Sequence, residues 1–234
     1  MNAVPQNQPI SFYAAHADQI FSELVPFFKR IENLSGERFG QGFASKAAQD
    51  AAERFRAILP ELPDIGGKEN KLTSNLITGA AVLCVYQVMS AQGKSLEEIG
   101  KLVYDAVVAG LPTEEALPDP REITIMANMH RHAEAFSEVN PYPFGWNAQF
   151  IEGSDPDFIW GVDYTSCGIC KLFQQQDAAA FIPYVCFLDL PIYKSRGIGL
   201  VRTQTLAQGG EKCNFRFNLR GEYRLEWVPD FYQE

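Results

Sequence analysis

The sequence contains no run of lysine or arginine residues. Acidic residues outnumber basic ones by 29 to 20, and the net charge is −9. A protein that binds nucleic-acid phosphates or an anionic membrane surface normally carries a basic patch. The lack of such a patch argues against both partners and favours a small-molecule substrate. The sequence leaves the oligomeric state open.

Long apolar segments are also missing. The longest run, Leu76 to Met89, includes Gln87 and is too short to span a bilayer. The first nine residues, Met-Asn-Ala-Val-Pro-Gln-Asn-Gln-Pro, lack the basic and apolar regions of a signal peptide. We therefore expect a cytoplasmic location.

Cysteine and histidine are scarce, with five and three residues respectively. An odd number of cysteines in a cytoplasmic protein predicts free thiols rather than a disulfide framework. His130 and His132 lie two residues apart on a predicted helix, so they point to different faces and cannot hold one metal ion. Core packing or exposure is the expected role of each, and a place in the site is the less favoured alternative.

The composition that remains is that of a globular protein, with 46% hydrophobic and 21% charged residues. In the first 140 residues, apolar side chains recur at helical spacing. Pro26 should kink or split the first helix. The sequence Ser95-Leu-Glu-Glu98 is typical of a capping box at a helix start. The predicted helices cover residues 10–33, 47–59, 72–89, 95–109 and 119–138.

The pattern changes after Asn140-Pro141, where strand and helix signals mix. The predicted strands cover 146–152, 158–164, 198–207, 212–219 and an edge at 223–228; the predicted helices cover 167–176 and 178–189. This order predicts an α+β fold, in which an N-terminal helical region (1–140) packs against a C-terminal antiparallel sheet with helices (141–234). We expect the two regions to form one compact unit, with the cysteine-rich site in the second.

Four of the five cysteines lie in the C-terminal region. Cys167 starts a predicted helix, where the dipole and the free amides lower the pKa of a thiol. Cys170 lies one turn further on the same side. Cys186 and Asp189 are spaced to share one face of the next helix. This grouping predicts chemistry rather than structural cross-links.

Other interpretations of these cysteines are less favoured. Cys213 alternates with Phe215 and Phe217 on a strand, so it is expected in the core. The Cys167-x-x-Cys170 spacing is half of a zinc site, but Cys186 and Cys213 are not spaced as its second half. A redox Cys-x-x-Cys is possible by spacing, although no βαβ pattern precedes it. We expect no metal and no cofactor.

Other polar residues interrupt the apolar elements nearby. Asp163 precedes the cysteine-bearing helix, where it could cap the helix or take part in catalysis. Arg202 lies within an apolar strand, a position that usually requires a carboxylate partner from protein or ligand. Thr203 should face the opposite side of that strand. Tyr164 and Trp160 could form an aromatic wall, with core packing the default for Trp160.

Taken together, these motifs closely resemble those of the L-2-amino-thiazoline-4-carboxylic acid hydrolase family. The matching motifs are Asp163-Tyr164-Thr165-x-Cys167-Gly168-Ile169-x-Lys171-Leu172-Phe173, Pro183-Tyr184-Val185-Cys186-x-x-Asp189, Leu200-x-Arg202-Thr203-x-Thr205 and Gly209-Gly210-x-x-Cys213-x-Phe215. The sequence departs from the pattern at Asn214, where the family favours Asp. The Gly-Gly-x-x-Cys-x-Phe segment also resembles 4-vinyl-reductase-type small-molecule-binding domains.

The family resemblance implies a hydrolase that opens a cyclic amidine, at C2 of a thiazoline, by addition of water. It implies catalytic roles for Cys167, Cys186, Asp189 and Asp163, and substrate contacts from Arg202, Thr203, Tyr164, Cys170 and Cys213. Cys167 is the first candidate for a nucleophile, Asp189 would hold the amidinium, and Arg202 would bind a substrate carboxylate through two hydrogen bonds. The second resemblance implies instead a domain that binds or senses a small molecule without catalysis.

Overall fold

The structure is a computed structural model that describes residues 11–112, 119–139, 142–154 and 158–232. The predicted break at Asn140-Pro141 lies outside the described residues. The N-terminal region is helical, as its periodicity predicts. Its helices are α1 (Phe12–Ala15), α2 (Ala17–Phe39), α3 (Gln41–Ile58), α4 (Thr73–Ala91), α5 (Leu96–Val108) and α6 (Pro120–Glu138).

Two local predictions in this region have different outcomes. The capping box at the start of α5 forms, with Ser95 Oγ accepting from the Glu98 amide and the Glu98 carboxylate accepting from the Ser95 amide. The predicted split at Pro26 is wrong, because α2 continues through this residue. Pro26 lies on the exposed face, where the carbonyl it leaves free is open to solvent, and Phe27 and Phe28 anchor the helix in the core.

The central helix of the N-terminal region is α4, which is apolar on nearly all sides. At 19 residues it is longer than the apolar run in its sequence, and by length and composition alone it could cross a membrane. The core helix of a globular protein passes the same test. Leu76, Leu83 and Val85 are fully buried, and α4 packs against α3, α5 and α7 (Gly168–Gln175). These contacts are those of a core helix.

The C-terminal region forms a five-stranded sheet in the order β1-β2-β4-β3-β5, with α6 packed against β1. Its strands are β1 (Asn147–Ser154), β2 (Phe158–Ser166), β3 (Gly199–Arg202), β4 (Cys213–Asn218) and β5 (Tyr223–Arg224). The α+β prediction is confirmed. The sheet is mixed rather than wholly antiparallel, because β5 pairs in parallel with β3.

Three predicted elements are shorter than expected. The edge strand β5 covers only Tyr223–Arg224 of the predicted 223–228. β3 ends at Arg202 because the Asn214 side chain accepts hydrogen bonds from the Thr203 and Gln204 amides, in place of a strand partner. The predicted helix over 178–189 is divided into a 3-10 turn (Ala179–Phe181), α8 (Ile182–Phe187) and α9 (Asp189–Lys194). Cys186 and Asp189 therefore lie on successive short helices.

The contact between α5 and α8 is one of those that join the two regions, together with α4–α7 and α6–β1. Glu97 on α5 accepts hydrogen bonds from the Tyr184 hydroxyl at 2.6 Å and from the Phe231 amide at 2.8 Å. Gly100, one turn later, faces the Tyr184 ring at a distance that leaves no room for a side chain. The close approach of α5 to α8 therefore depends on glycine at this position.

Gly100→Ala should destabilise the protein. The added Cβ would lie 2.1 Å from Cδ1 of Tyr184, and a clash with a packed ring costs about 1–3 kcal/mol. Gly42→Ala is the matched control, because its Cβ meets no atom within 4 Å and alanine favours the helix by up to about 1 kcal/mol. Urea denaturation should show opposite shifts of the two midpoints. Equal midpoints would contradict the described α5–α8 contact.

Candidate active site

A cavity of about 110 Å³ lies between the sheet and the surrounding helices α4, α6, α7, α8 and α9. Its size is close to that of engineered cavities of ~150 Å³ that hold one benzene molecule. Both regions of the chain contribute to its wall. Its ionisable lining residues are His130, Tyr164, Cys167, Cys186, Asp189, Tyr193, Arg202 and Cys213.

Cys167 is placed on the cavity wall by the start of α7. It is the N-cap residue of this helix, not a member of its first turn as predicted. No side-chain hydrogen bond of standard geometry caps the helix. The pKa of Cys167 is lowered nonetheless, first by a hydrogen bond from the Cys170 thiol and then by the amides of Cys170 and Ile169, against the effect of burial. Cys167 is thus the thiol best able to ionise in this cavity.

The other thiols near the cavity are shifted in the opposite direction. Donation to Cys167, followed by burial, raises the pKa of Cys170. Burial raises the pKa of Cys186 well above its ordinary value, despite the nearby charge of Arg202. Burial also raises the pKa of Cys213 to about 12, although the Leu206 amide donates to its sulfur at 3.3 Å. All five cysteines are free thiols.

Arg202 lines the cavity and also binds Glu226 of the C-terminal segment. Nη1 donates to Asp189 at 2.7 Å, and Nε and Nη2 donate to the two carboxylate oxygens of Glu226 at 2.9 and 3.2 Å. Nη2 also donates to the Cys186 carbonyl. The edge of the guanidinium that could bind a substrate carboxylate through two hydrogen bonds is therefore occupied by Glu226. Arg202 pairs with a carboxylate, as expected, and its partners Asp189 and Glu226 belong to the protein.

Asp189 is the carboxylate that faces the cavity. Its side chain is 33% exposed and lines the cavity wall, and Oδ2 is bound by Arg202. Within the described part of the chain, Oδ1 has no hydrogen-bond partner. Burial raises the pKa of Asp189 to about 6, although the charge of Arg202 acts to lower it. Asp189, Glu226 and Arg202 together carry two carboxylates and one positive charge, an arrangement that attracts a cation.

A family model described as L-2-amino-thiazoline-4-carboxylic acid hydrolase matches residues 74–217. This span covers more than half of the chain, and it contains Cys167, Cys186, Asp189 and Arg202. The chain belongs to the L-2-amino-thiazoline-4-carboxylic acid hydrolase family. No curated protein and no solved structure matches it.

Not all of the residues expected in the site of this hydrolase-family member lie there. Asp163 points to the face of the sheet opposite Tyr164, because neighbouring residues of a strand alternate. Burial acts to raise its pKa, but hydrogen bonds from Arg216 and Lys212 outweigh burial and lower it. Asp163 is a buried ion-pair partner outside the cavity, so the structure does not support its predicted catalytic place.

Thr203 and Asn214 also lie away from the cavity wall. Thr203 is exposed, and its hydroxyl accepts from Asn214 Nδ2 at 2.8 Å. Asn214 pairs in register with Asp163, on the same side of the sheet. The departure from the family pattern at Asn214 therefore affects the β3–β4 connection and not the cavity wall. Cys170 is outside the cavity wall and contacts Cys167 through a hydrogen bond from its thiol. Tyr164 and Cys213 line the cavity.

Two ionisable residues of the site, Glu226 and Tyr193, were not predicted from the sequence, because they carried no motif. Core packing or exposure was the expected role of His130, with a place in the site as the less favoured alternative. It is buried, and it also lines the cavity. Across the residues that the structure describes, no cluster of three His, Cys, Asp or Glu side chains could hold a metal ion.

We expect Cys167 to be the most reactive thiol, because it alone has a lowered pKa and an opening to the cavity. Limiting iodoacetamide followed by peptide mapping should modify Cys167 first. Cys84 is the internal control, because it lies inside α4, where burial raises its pKa to about 12. Labelling of Cys167 no faster than Cys84 would contradict this assignment.

Proposed function

We propose that this family member is a hydrolase that opens a small cyclic amidine of the thiazoline-carboxylate type, with Cys167 as the nucleophile. One observation carries the proposal: a thiol of lowered pKa and a carboxylate with one unpaired oxygen line the same small cavity. Amidine carbons become electrophilic when their nitrogens are protonated. The cavity thus combines a nucleophile with a group that binds the protonated form.

Substrate binding follows from the charges. Asp189 Oδ1 would accept a hydrogen bond from the amidinium, while Arg202 holds Oδ2 and fixes the orientation of the carboxylate. Glu226 keeps the group net negative, so Arg202 does not repel the cation. The cavity volume restricts the substrate to a small ring. A carboxylate that both binds and polarises the amidine makes C2 more susceptible to attack.

The covalent chemistry balances with one water molecule. The Cys167 thiolate adds to C2, and the bond between C2 and the ring sulfur breaks, so that the ring sulfur leaves as a thiolate and takes up a proton. Water then adds to the same carbon, the Cys167 thiolate is expelled and two protons are released. One balances the proton taken up by the ring sulfur, and the other is the extra proton of the amidinium substrate. The product is a ureido acid that bears a free thiol, N-carbamoyl-cysteine. No atom other than those of water is gained.

The first test is turnover. The protein should convert L-2-amino-thiazoline-4-carboxylate to N-carbamoyl-cysteine, and one atom of ¹⁸O should enter from labelled water, as read by mass spectrometry. Cys167→Ala should reduce kcat by at least about 100-fold, in the range found when a nucleophile or its activating base is lost. Cys84→Ala is the matched control.

Two outcomes would contradict the proposal. Full turnover by Cys167→Ala would replace the thiolate with water activated by a carboxylate. Binding of the substrate without turnover by the wild-type protein would favour the binding or sensor role.

The second test is the pH dependence. Only ionised Asp189 attracts an amidinium, and its pKa is about 6, so kcat/KM should fall as pH falls through about 6. The charge of Glu226 contributes to the raised pKa. Glu226→Gln should therefore move this acid limb to lower pH.

The matched control is Glu222→Gln, whose side chain is half exposed on the same C-terminal segment and lies outside the cavity wall. Glu222→Gln should not change the pH at which kcat/KM falls. An acid limb that does not move in Glu226→Gln would contradict the assignment of this ionisation to Asp189.

A further inference from the structure

We propose that His130 is a substrate-binding residue whose Nε2–H donates a hydrogen bond to the carboxylate of the substrate. The inference deepens the proposed function and rests on it. It assigns the anionic end of the ligand to neutral donors of the cavity wall rather than to Arg202. The argument depends on the tautomer of His130, on the surroundings of Nε2 and on the donors beside it.

The tautomer is determined by Trp160. The indole Nε1 lies 3.0 Å from His130 Nδ1, and an indole nitrogen can only donate. Nδ1 must therefore be the acceptor, and in the neutral ring the proton is on Nε2. The ring is 2% exposed, and burial lowers its pKa to about 4, so it is neutral at physiological pH. Stacking on Phe217, at 5.2 Å and 11°, fixes the plane of the ring.

Nε2 has no hydrogen-bond partner among the described residues, yet it is not enclosed. Among the described residues, the fully buried side-chain atoms without a hydrogen-bond partner are Tyr13 Oη, His132 Nδ1 and Thr205 Oγ1. His130 Nε2 is not one of them. The His130 ring lines the cavity, which is the open space beside it. A fixed N–H donor thus faces the ligand space. A ligand that supplied no acceptor would leave this buried donor unpaired, which is costly, so the donor selects for a ligand with an acceptor.

Two tyrosine hydroxyls share this environment. Tyr164 and Tyr193 line the cavity, and neither hydroxyl has a hydrogen-bond partner within the described ranges. Tyr193 lies 4.7 Å from the Phe217 ring, and His130 lies 6.5 Å from the Tyr164 ring. Burial raises the pKa of both tyrosines, so both remain protonated donors. His130 and the two tyrosines therefore supply three neutral donors to the cavity wall.

The charged residue expected to bind this carboxylate is already engaged. Glu226 occupies the Nε–Nη2 edge of Arg202, and Asp189 holds Nη1. Neutral donors bind a carboxylate without weakening the attraction of Asp189 for the amidinium. A zwitterionic ligand would then span the cavity, with its cation at Asp189 and its anion at His130.

If His130 were only a core residue, its bond to Trp160 and its stacking on Phe217 would be sufficient, and Nε2 would not respond to ligand. NMR of protein labelled with ¹⁵N-histidine distinguishes the two roles. The chain has three histidines, so His130→Gln assigns the signal by its loss. The free protein should show the Nε2–H tautomer at His130. L-2-amino-thiazoline-4-carboxylate should shift the Nε2 resonance, whereas 2-amino-thiazoline, which lacks the carboxylate, should not.

Kinetics provides a second measurement. His130→Gln should raise KM for the carboxylate substrate by about 10- to 100-fold, the range for one hydrogen bond to a charged group, and change kcat much less. It should also reduce the preference for the carboxylate over 2-amino-thiazoline by a similar factor. His132→Gln, two residues along α6 and outside the cavity wall, is the matched control. Trp160→Phe, which frees Nδ1, should allow the other tautomer and weaken the same preference.

Each result supports or overturns the inference. An Nδ1–H tautomer, equal Nε2 shifts with both ligands, or an unchanged preference in His130→Gln would overturn it. If the carboxylate substrate is turned over and any of these is seen, the inference fails and the proposed function stands. If the wild-type protein neither binds nor turns over either ligand, both fail together.

Discussion

The buried guanidinium of Arg202 is the constraint on which the site depends. A charge in this position is tolerated only when its partners are placed with good geometry, because the desolvation cost of an unpaired ion is several kcal/mol. The partners come from three segments: Asp189 from the start of α9, the Cys186 carbonyl from α8 and Glu226 from the C-terminal segment. Satisfying Arg202 therefore fixes these segments against β3.

The cavity combines two kinds of polar group. Asp189, backed by Glu226, and the thiol of lowered pKa at Cys167 are the anionic kind. His130, Tyr164 and Tyr193 are the neutral donors. Charged and neutral groups in one small space allow a ligand with both charges to adopt one orientation. A single positive charge shared by two carboxylates would not provide that orientation alone.

The sequence predicts much of this arrangement through local rules. Helical periodicity identifies the N-terminal helices, and the start of a helix at Cys167 predicts the direction of its pKa shift. Strand alternation limits the site further, because Asp163 and Tyr164, or Arg202 and Thr203, cannot both face one cavity. Glu226 and His130 could not be found in this way. Each meets its partner through tertiary packing, across 24 residues from Arg202 and 30 from Trp160.

The small volume of the cavity has a consequence beyond substrate choice. A thiolate in open solvent reacts with peptide thiols and their disulfides as well as with peroxide. Cys167 opens into about 110 Å³, which is roughly the space of four water molecules. A tripeptide disulfide does not fit there, whereas hydrogen peroxide does. The small space thus favours oxidation of Cys167 by small peroxides over reaction with larger disulfides. The Cys170 thiol beside it is placed to form a disulfide with the resulting sulfenic acid.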